Sequence, residues 1–140
     1  MHLSEITRHI DAGTVWAYAE ITDDFNPIHV DPDFAAGTPM GRCIAHGMLS
    51  LNLIWQVAWP ALNDVGRRAA ELEIRFVKPV FVGDTITATG FLDPEASDSR
   101  TSVFSVQITN QKGETVIQGH LRAPTAGLEV EDTLKAAAFG

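Results

Sequence analysis

Cysteine is nearly missing from this chain: Cys43 is the single one in 140 residues. An internal disulfide is therefore excluded, and a structural zinc site built on several thiolates is argued against. Positive charge is scarce as well, with ten Lys and Arg against eighteen Asp and Glu and a net charge of −8. Neutralising nucleic-acid phosphates needs clustered Lys and Arg, so a nucleic-acid partner is excluded. A phosphorylated ligand stays open, because two or three placed basic groups suffice for it. No apolar run reaches the ~20 residues of a membrane span. The opening MHLSEITRHI lacks the basic start and apolar run of a signal peptide. Repeats, linkers and low-complexity blocks are absent too. What is present is an ordinary globular composition, 45% hydrophobic and 20% charged, enough for one domain with one sizeable core. The expectation is a soluble, cytoplasmic protein of a reducing compartment.

The patterning changes character along the chain. HLSEITRHI alternates like an opening strand. DAGTVWAYAEITDD suits a short amphipathic helix burying Val15, Trp16, Tyr18 and Ala19, with Asp11 or Thr14 as its cap. In DPDFAAGTPMGRC, Asp31 or Asp33 can open one helical turn that Gly37 closes. From Met48 to Trp59 the chain is apolar on nearly every side, with Ser50, Asn52 and Gln56 as interruptions, and Pro60 marks the end. That pattern predicts a buried helix. Beyond residue 69 the period becomes two: Leu72, Ile74 and Phe76 alternate with Glu71, Glu73 and Arg75. Three more strand-like runs follow, GDTITATGFLD, TSVFSVQITN and ETVIQGHLRA, parted by turn residues. The order predicts an α+β domain in which an antiparallel sheet wraps one apolar helix. The domain is placed at residues 1–125, with a tail at 126–140 that reads as loose helix or as disorder.

The stretch DDFNPIHVD holds the densest chemistry. Pro27 has no N–H and pushes Asn26 towards extended geometry, so the segment is a bend. A rigid bend can hold the carboxylate of Asp24 and the imidazole of His29 at fixed separation. Read alone, the same residues also suit an Asx-type turn with an ordinary polar His29. A metal reading would use His29, Asp31, Asp33 and His46, but alternating His-x-Asp-x-Asp is a weak ligand pattern, and no metal is expected.

Taken together, DFNPIHVDPDFA, then AHGMLSLNLIW with His46 seventeen residues after His29, then RFVKPVFVGDTI resemble the MaoC-like (R)-specific enoyl-CoA hydratases. The resemblance covers roughly residues 10 to 123. It implies the hot-dog fold, a curved sheet around one long central helix. It implies homodimers or dimers of dimers with acyl-CoA tunnels at the interface, and no cofactor, since coenzyme A enters as part of the substrate. Position by position, it implies that Asp24 and His29 are the catalytic pair and that Asn26 and Pro27 shape their loop. Gly47 would present its backbone N–H to the thioester oxygen. The implied reaction is reversible hydration of a trans-2-enoyl-CoA to an (R)-3-hydroxyacyl-CoA, which needs a base for water and an acid for C2. Asp24 is assigned as base and His29 as acid. Among the basic residues, Lys78 ranks first for the coenzyme A arm, and Trp55 is a candidate for lining the acyl tunnel.

The sequence speaks against two other functions. A hot-dog thioesterase generally carries a carboxylate on or beside the central helix, and Met48 to Trp59 contains none. A non-catalytic acyl-thioester-binding subunit would have no need of both Asp24 and His29. His46 reads as a helix cap or packed core imidazole, Cys43 as a small buried apolar side chain, and Ser50 lacks a nucleophile-elbow context.

Overall fold

The computed structural model describes residues 1–129. Strand β1 (Ile6–His9) leads into helix α1 (Ala12–Thr22). Asp11 caps that helix, its carboxylate accepting from the Thr14 N–H at 2.7 Å and from the Thr14 hydroxyl at 2.9 Å. Helix α1 buries Val15 and Ala19, with Tyr18 half-buried. Trp16 departs from expectation: it is 49% exposed. Its indole N–H donates to Glu20 one turn on, and its ring meets Phe25 edge-on, so the outer face of α1 holds it.

Two single turns follow, α2 (Pro27–Val30) and α3 (Pro32–Ala36), each with proline at its first position, where the missing N–H has no helical partner to lose. Helix α4 (Gly47–Ala58) then runs through the domain and tightens into a 3-10 turn at Trp59–Ala61, which contains Pro60. A further helix, α5 (Asp64–Ala69), is capped by Asn63, whose side chain accepts from Gly66 N–H at 3.0 Å. The periodicity had left this segment unassigned.

The sheet contains β1, β2 (Glu71–Phe76), β3 (Thr85–Leu92), β4 (Thr101–Thr109) and β5 (Thr115–Pro124) in the spatial order β1-β3-β4-β5-β2, every neighbour antiparallel. All four later strands fall where alternation placed them. Strand β2 sits at the far edge against β5, and the connection from 77 to 84 returns beside the approach to α4. There Ala45 N–H donates to Val80 O and Val82 N–H to Cys43 O. The β2–β5 approach is close. A Cβ on Gly119 would lie 2.0 Å from the Glu73 carbonyl oxygen, so only glycine fits that register position opposite Ile74.

Helix α4 packs chiefly on β3. Ile54, Val57 and Ala58 form one core cluster with Ile86, Ala88, Phe104, Ile108, Ile117 and Leu121. Burial of each large member contributes roughly 1.5–3 kcal/mol. The helix is not buried all round, however. Met48, Asn52, Gln56 and Trp59 lie at spacings of four, four and three and form one exposed or half-exposed face, with Met48 54% exposed. The sheet wraps one side of the rod and leaves the other uncovered within a single chain. No helix of the described residues is long and apolar enough to cross a membrane. Residues 126–129 of the tail lie on the domain: Leu128 bridges to Leu62 and Glu129 N–H donates to Ala61 O. The rest of the tail, where loose helix and disorder were both open, lies outside the described residues.

Candidate active site

The site begins where α1 ends. Asp23 takes the left-handed conformation, φ 56°, which a short polar side chain tolerates better than most, and the chain reverses there. Asp23 and Asp24 both donate their N–H groups to the Ala19 carbonyl. Three local bonds then fix the bend. The Asp24 carboxylate accepts from Asn26 N–H at 3.3 Å, the Asn26 side chain accepts from Ile28 N–H at 3.2 Å, and His29 N–H donates to the Asn26 carbonyl at 2.9 Å. Asn26 caps α2 and Pro27 follows at its first position, the shaping role expected of the pair.

The bend is clipped to the approach to α4 from both sides. Ile44 N–H donates to the Ile28 carbonyl at 3.1 Å, and the His29 ring Nδ1 lies 2.7 Å from the Ile44 carbonyl oxygen. A carbonyl only accepts, so Nδ1 carries the proton and Nε2 is the nitrogen left for chemistry. One carboxylate oxygen of Asp24 and one ring nitrogen each of His29 and His46 all lie within 4.8 Å of one another. The structure thus brings the two expected groups together and adds a third.

His46 was expected to be a cap or a packed core ring, and it is the second. It occupies the position before α4 but makes no side-chain capping bond, and it is 3% exposed. Its Nε2 donates to the Asp24 carbonyl at 2.9 Å. Its ring stacks on His29, centroids 3.9 Å apart and planes 27° apart, and Tyr18 lies against it with centroids 4.9 Å apart. Its position next to Gly47 was the one signal in the sequence that tied it to the site.

This trio is a poor metal centre. Imidazole lone pairs lie in the ring plane, and nearly parallel stacked rings point them side by side instead of at a common point. Asp31, one of the two carboxylates of the metal reading, has a different employment: it caps α3, accepting from Asp33 and Phe34 N–H groups at 3.1 and 3.2 Å. Among the described residues, Asp31 and Asp33 join no such cluster.

A cavity of about 290 Å³ opens beside the trio, lined by His29, Gly47, Ser50, Phe76, Lys78 and their neighbours. Gly47 is the first residue of α4, where the amide has no helical carbonyl to reach. A Cβ there would lie 3.0 Å from the Phe76 ring, so a side chain would press into the space beside the amide. Ser50, buried one turn further, has a hydroxyl without a partner. Lys78 lies at the rim and is half-exposed, paired with Glu114. The hydrogen bond from Lys78, helped by Asn110, holds the Glu114 carboxyl below its ordinary range. A second cavity of about 420 Å³ meets His29 from the other side and includes Trp16, Val30, Arg42, Cys43 and Val82. Burial pushes the Cys43 thiol up, consistent with a small apolar side chain. Trp55 is not brought into either cavity. It lines a separate depression with Asn52, Gln56, Trp59 and Pro60, roughly 12 Å along the helix axis from Gly47.

Comparison with known proteins shows the family and the fold. A family model described as MaoC like domain matches residues 2–114. An (R)-specific enoyl-CoA hydratase from Aeromonas caviae is 33% identical over 116 residues, covering 83% of this chain and 87% of that protein. A second (R)-specific enoyl-CoA hydratase, from Rhodospirillum rubrum, is 31% identical over 116 residues, covering 83% and 80%. The unliganded R-hydratase of Pseudomonas aeruginosa superposes with a TM-score of 0.73 at 29% identity, covering 89% of this chain and 80% of that one. The curved five-stranded sheet around α4 is the hot-dog fold.

Proposed function

Since this chain belongs to the MaoC-like domain family, we propose that it is a hydro-lyase that adds water to a trans-2-enoyl-CoA and removes it from the (R)-3-hydroxyacyl-CoA. One observation supports this above others: the Asp24 carboxylate and the His29 ring lie within 4.8 Å of each other at the unpartnered start of α4. In the hydration direction the thioester oxygen accepts a hydrogen bond from Gly47 N–H, with the positive end of the helix dipole behind it. Asp24, ionised, takes a proton from water as the water oxygen bonds to C3. The alkene electrons pass to the thioester as an enolate, and His29, protonated, gives its Nε2 proton to C2. Asp24 ends protonated and His29 neutral, and return of that proton resets the pair. The Ile44 carbonyl holds Nδ1–H throughout and so keeps Nε2 as the nitrogen that exchanges the proton. Acid and base on one bend act on one face of the alkene.

No resident cofactor is needed, because the thioester arrives on coenzyme A. Lys78, which lines the cavity, supplies a cation for its phosphates. Pairing of two copies belongs to the same reading. Phe76, the last residue of the edge strand β2, and Val77 after it are 55% and 45% exposed beside the cavity, and a second copy would cover them.

A thioesterase directs water at the thioester carbon from a carboxylate on or near the central helix. Helix α4 has none, and the carboxylate of the trio lies on the bend. Crotonyl-CoA separates the readings. Hydration removes the conjugated enoyl absorbance and yields the (R) product without free thiol. Thiol release marks a thioesterase, and no change with short, medium or branched chains marks a binding subunit.

A further inference from the structure

The His46 side chain makes no bond to the helix it precedes and reaches the proton-handling groups instead. Its Nε2–H donates to the backbone carbonyl of Asp24, and its face covers His29. Asp24 is otherwise an exposed residue on an irregular bend, and His29 sits on a helix of one turn. Neither element is long enough to fix a side chain by its own packing. The remaining ring nitrogen, Nδ1, is buried with no hydrogen-bond partner. Buried polar atoms are rarely left so, and each such case needs an account.

We propose that His46 is a positioning residue that sets the separation of Asp24 and His29. One buried neutral ring fixes both partners: a hydrogen bond holds the Asp24 peptide, and a stacked face holds the His29 imidazole. The orphaned Nδ1 follows from that role. With Nε2–H committed to a carbonyl, Nδ1 is a bare lone pair, and leaving an acceptor unpaired costs less than burying a second N–H that nothing accepts. Tyr18 from α1, Asp24 from the bend and His29 from α2 are the titratable groups in contact with the ring.

This inference rests on Asp24 and His29 being the acid–base pair, and the test keeps the two apart. His46→Phe keeps a ring face and loses the donor; His46→Gln keeps an N–H near the Nε2 position and loses the face. With crotonyl-CoA, His46→Phe is expected to lower kcat by about tenfold to hundredfold with KM within about threefold, because misplacement by an ångström costs that much. His46→Gln should recover part of the loss. Turnover within about twofold of wild type in both variants overturns the proposal, while an inactive wild type overturns the hydratase reading instead. Should either variant fail to fold, imidazole ¹⁵N shifts of the wild-type protein decide. They are expected to show His46 protonated on Nε2 alone across the pH range in which His29 titrates. A His46 that carries its proton on Nδ1, or titrates alongside His29, contradicts the role.

Discussion

The sheet from β3 to β5 and the bend from Asp23 to Asp31 are held in place by different forces. In the sheet, Ile86, Phe104, Ile108, Ile117 and Leu121 are almost fully buried against α4, and dehydration of apolar area does the stabilising. In the bend no residue is fully buried, and side-chain-to-backbone hydrogen bonds of Asp24, Asn26 and Asp31 set the shape. The first region tolerates exchange of one apolar group for another of similar volume. The second tolerates almost none, since each polar atom has one angle and one partner. Stability is therefore concentrated in the sheet and α4, and the proposed chemistry in the bend.

Substitutions that separate the two regions test this division. Phe104→Ala removes the largest fully buried side chain and is expected to cost about 3–5 kcal/mol in denaturant unfolding. Turnover per folded molecule should stay near wild type at a temperature where the variant is folded. Asp24→Asn inverts that pattern: hydration of crotonyl-CoA should fall about 10²-fold or more, which is roughly 2.7 kcal/mol of barrier, with the melting temperature nearly unchanged. Equal losses of stability and turnover in either variant would erase the distinction. Asn26→Ala removes the cap of α2 and should cost about 1 kcal/mol of stability together with a measurable drop in kcat, because both His29 and Asp24 hang on that turn. The smallest effect belongs to Lys78 and Glu114, both solvent-exposed and screened. The pair lowers the Glu114 pKa, so its stabilisation is present above the ordinary glutamate range and is lost as pH falls through the lowered value. Thermal melts of Lys78→Met from neutral pH down through that range should differ from wild type only in a slightly flatter acid limb.

Much of the fold was legible in the chain because its strands alternate and its turns carry Gly, Pro and Asn. Residues such as Ile86 and Ala88 announce a face by period alone. Helix α4 was legible as a helix but not as a half-covered one. Met48 and Trp59 are as apolar as Leu53, and hydropathy cannot say which apolar face a single chain leaves open. Position β2 at the far edge depends on Gly119 admitting the β2 backbone, a contact 45 residues apart in sequence between Ile74 and Gly119. Asp24 and His29, the proposed proton-handling pair, were visible because a proline-stiffened bend confines them to six consecutive positions. His46 was not, since its hydrogen bond to Asp24 spans 22 residues and follows only from the fold. Trp55 lines a depression on α4 with Asn52, Gln56, Trp59 and Pro60, apart from the trio within a single chain.

A crystal structure of the Asp24→Asn variant with crotonyl-CoA bound addresses the placement of chemistry most directly. The expected complex has the thioester oxygen within hydrogen-bond distance of Gly47 N–H, C3 beside residue 24 and C2 facing His29 Nε2. A thioester seated in the Trp55 depression, or with its oxygen turned away from the start of α4, would contradict the account.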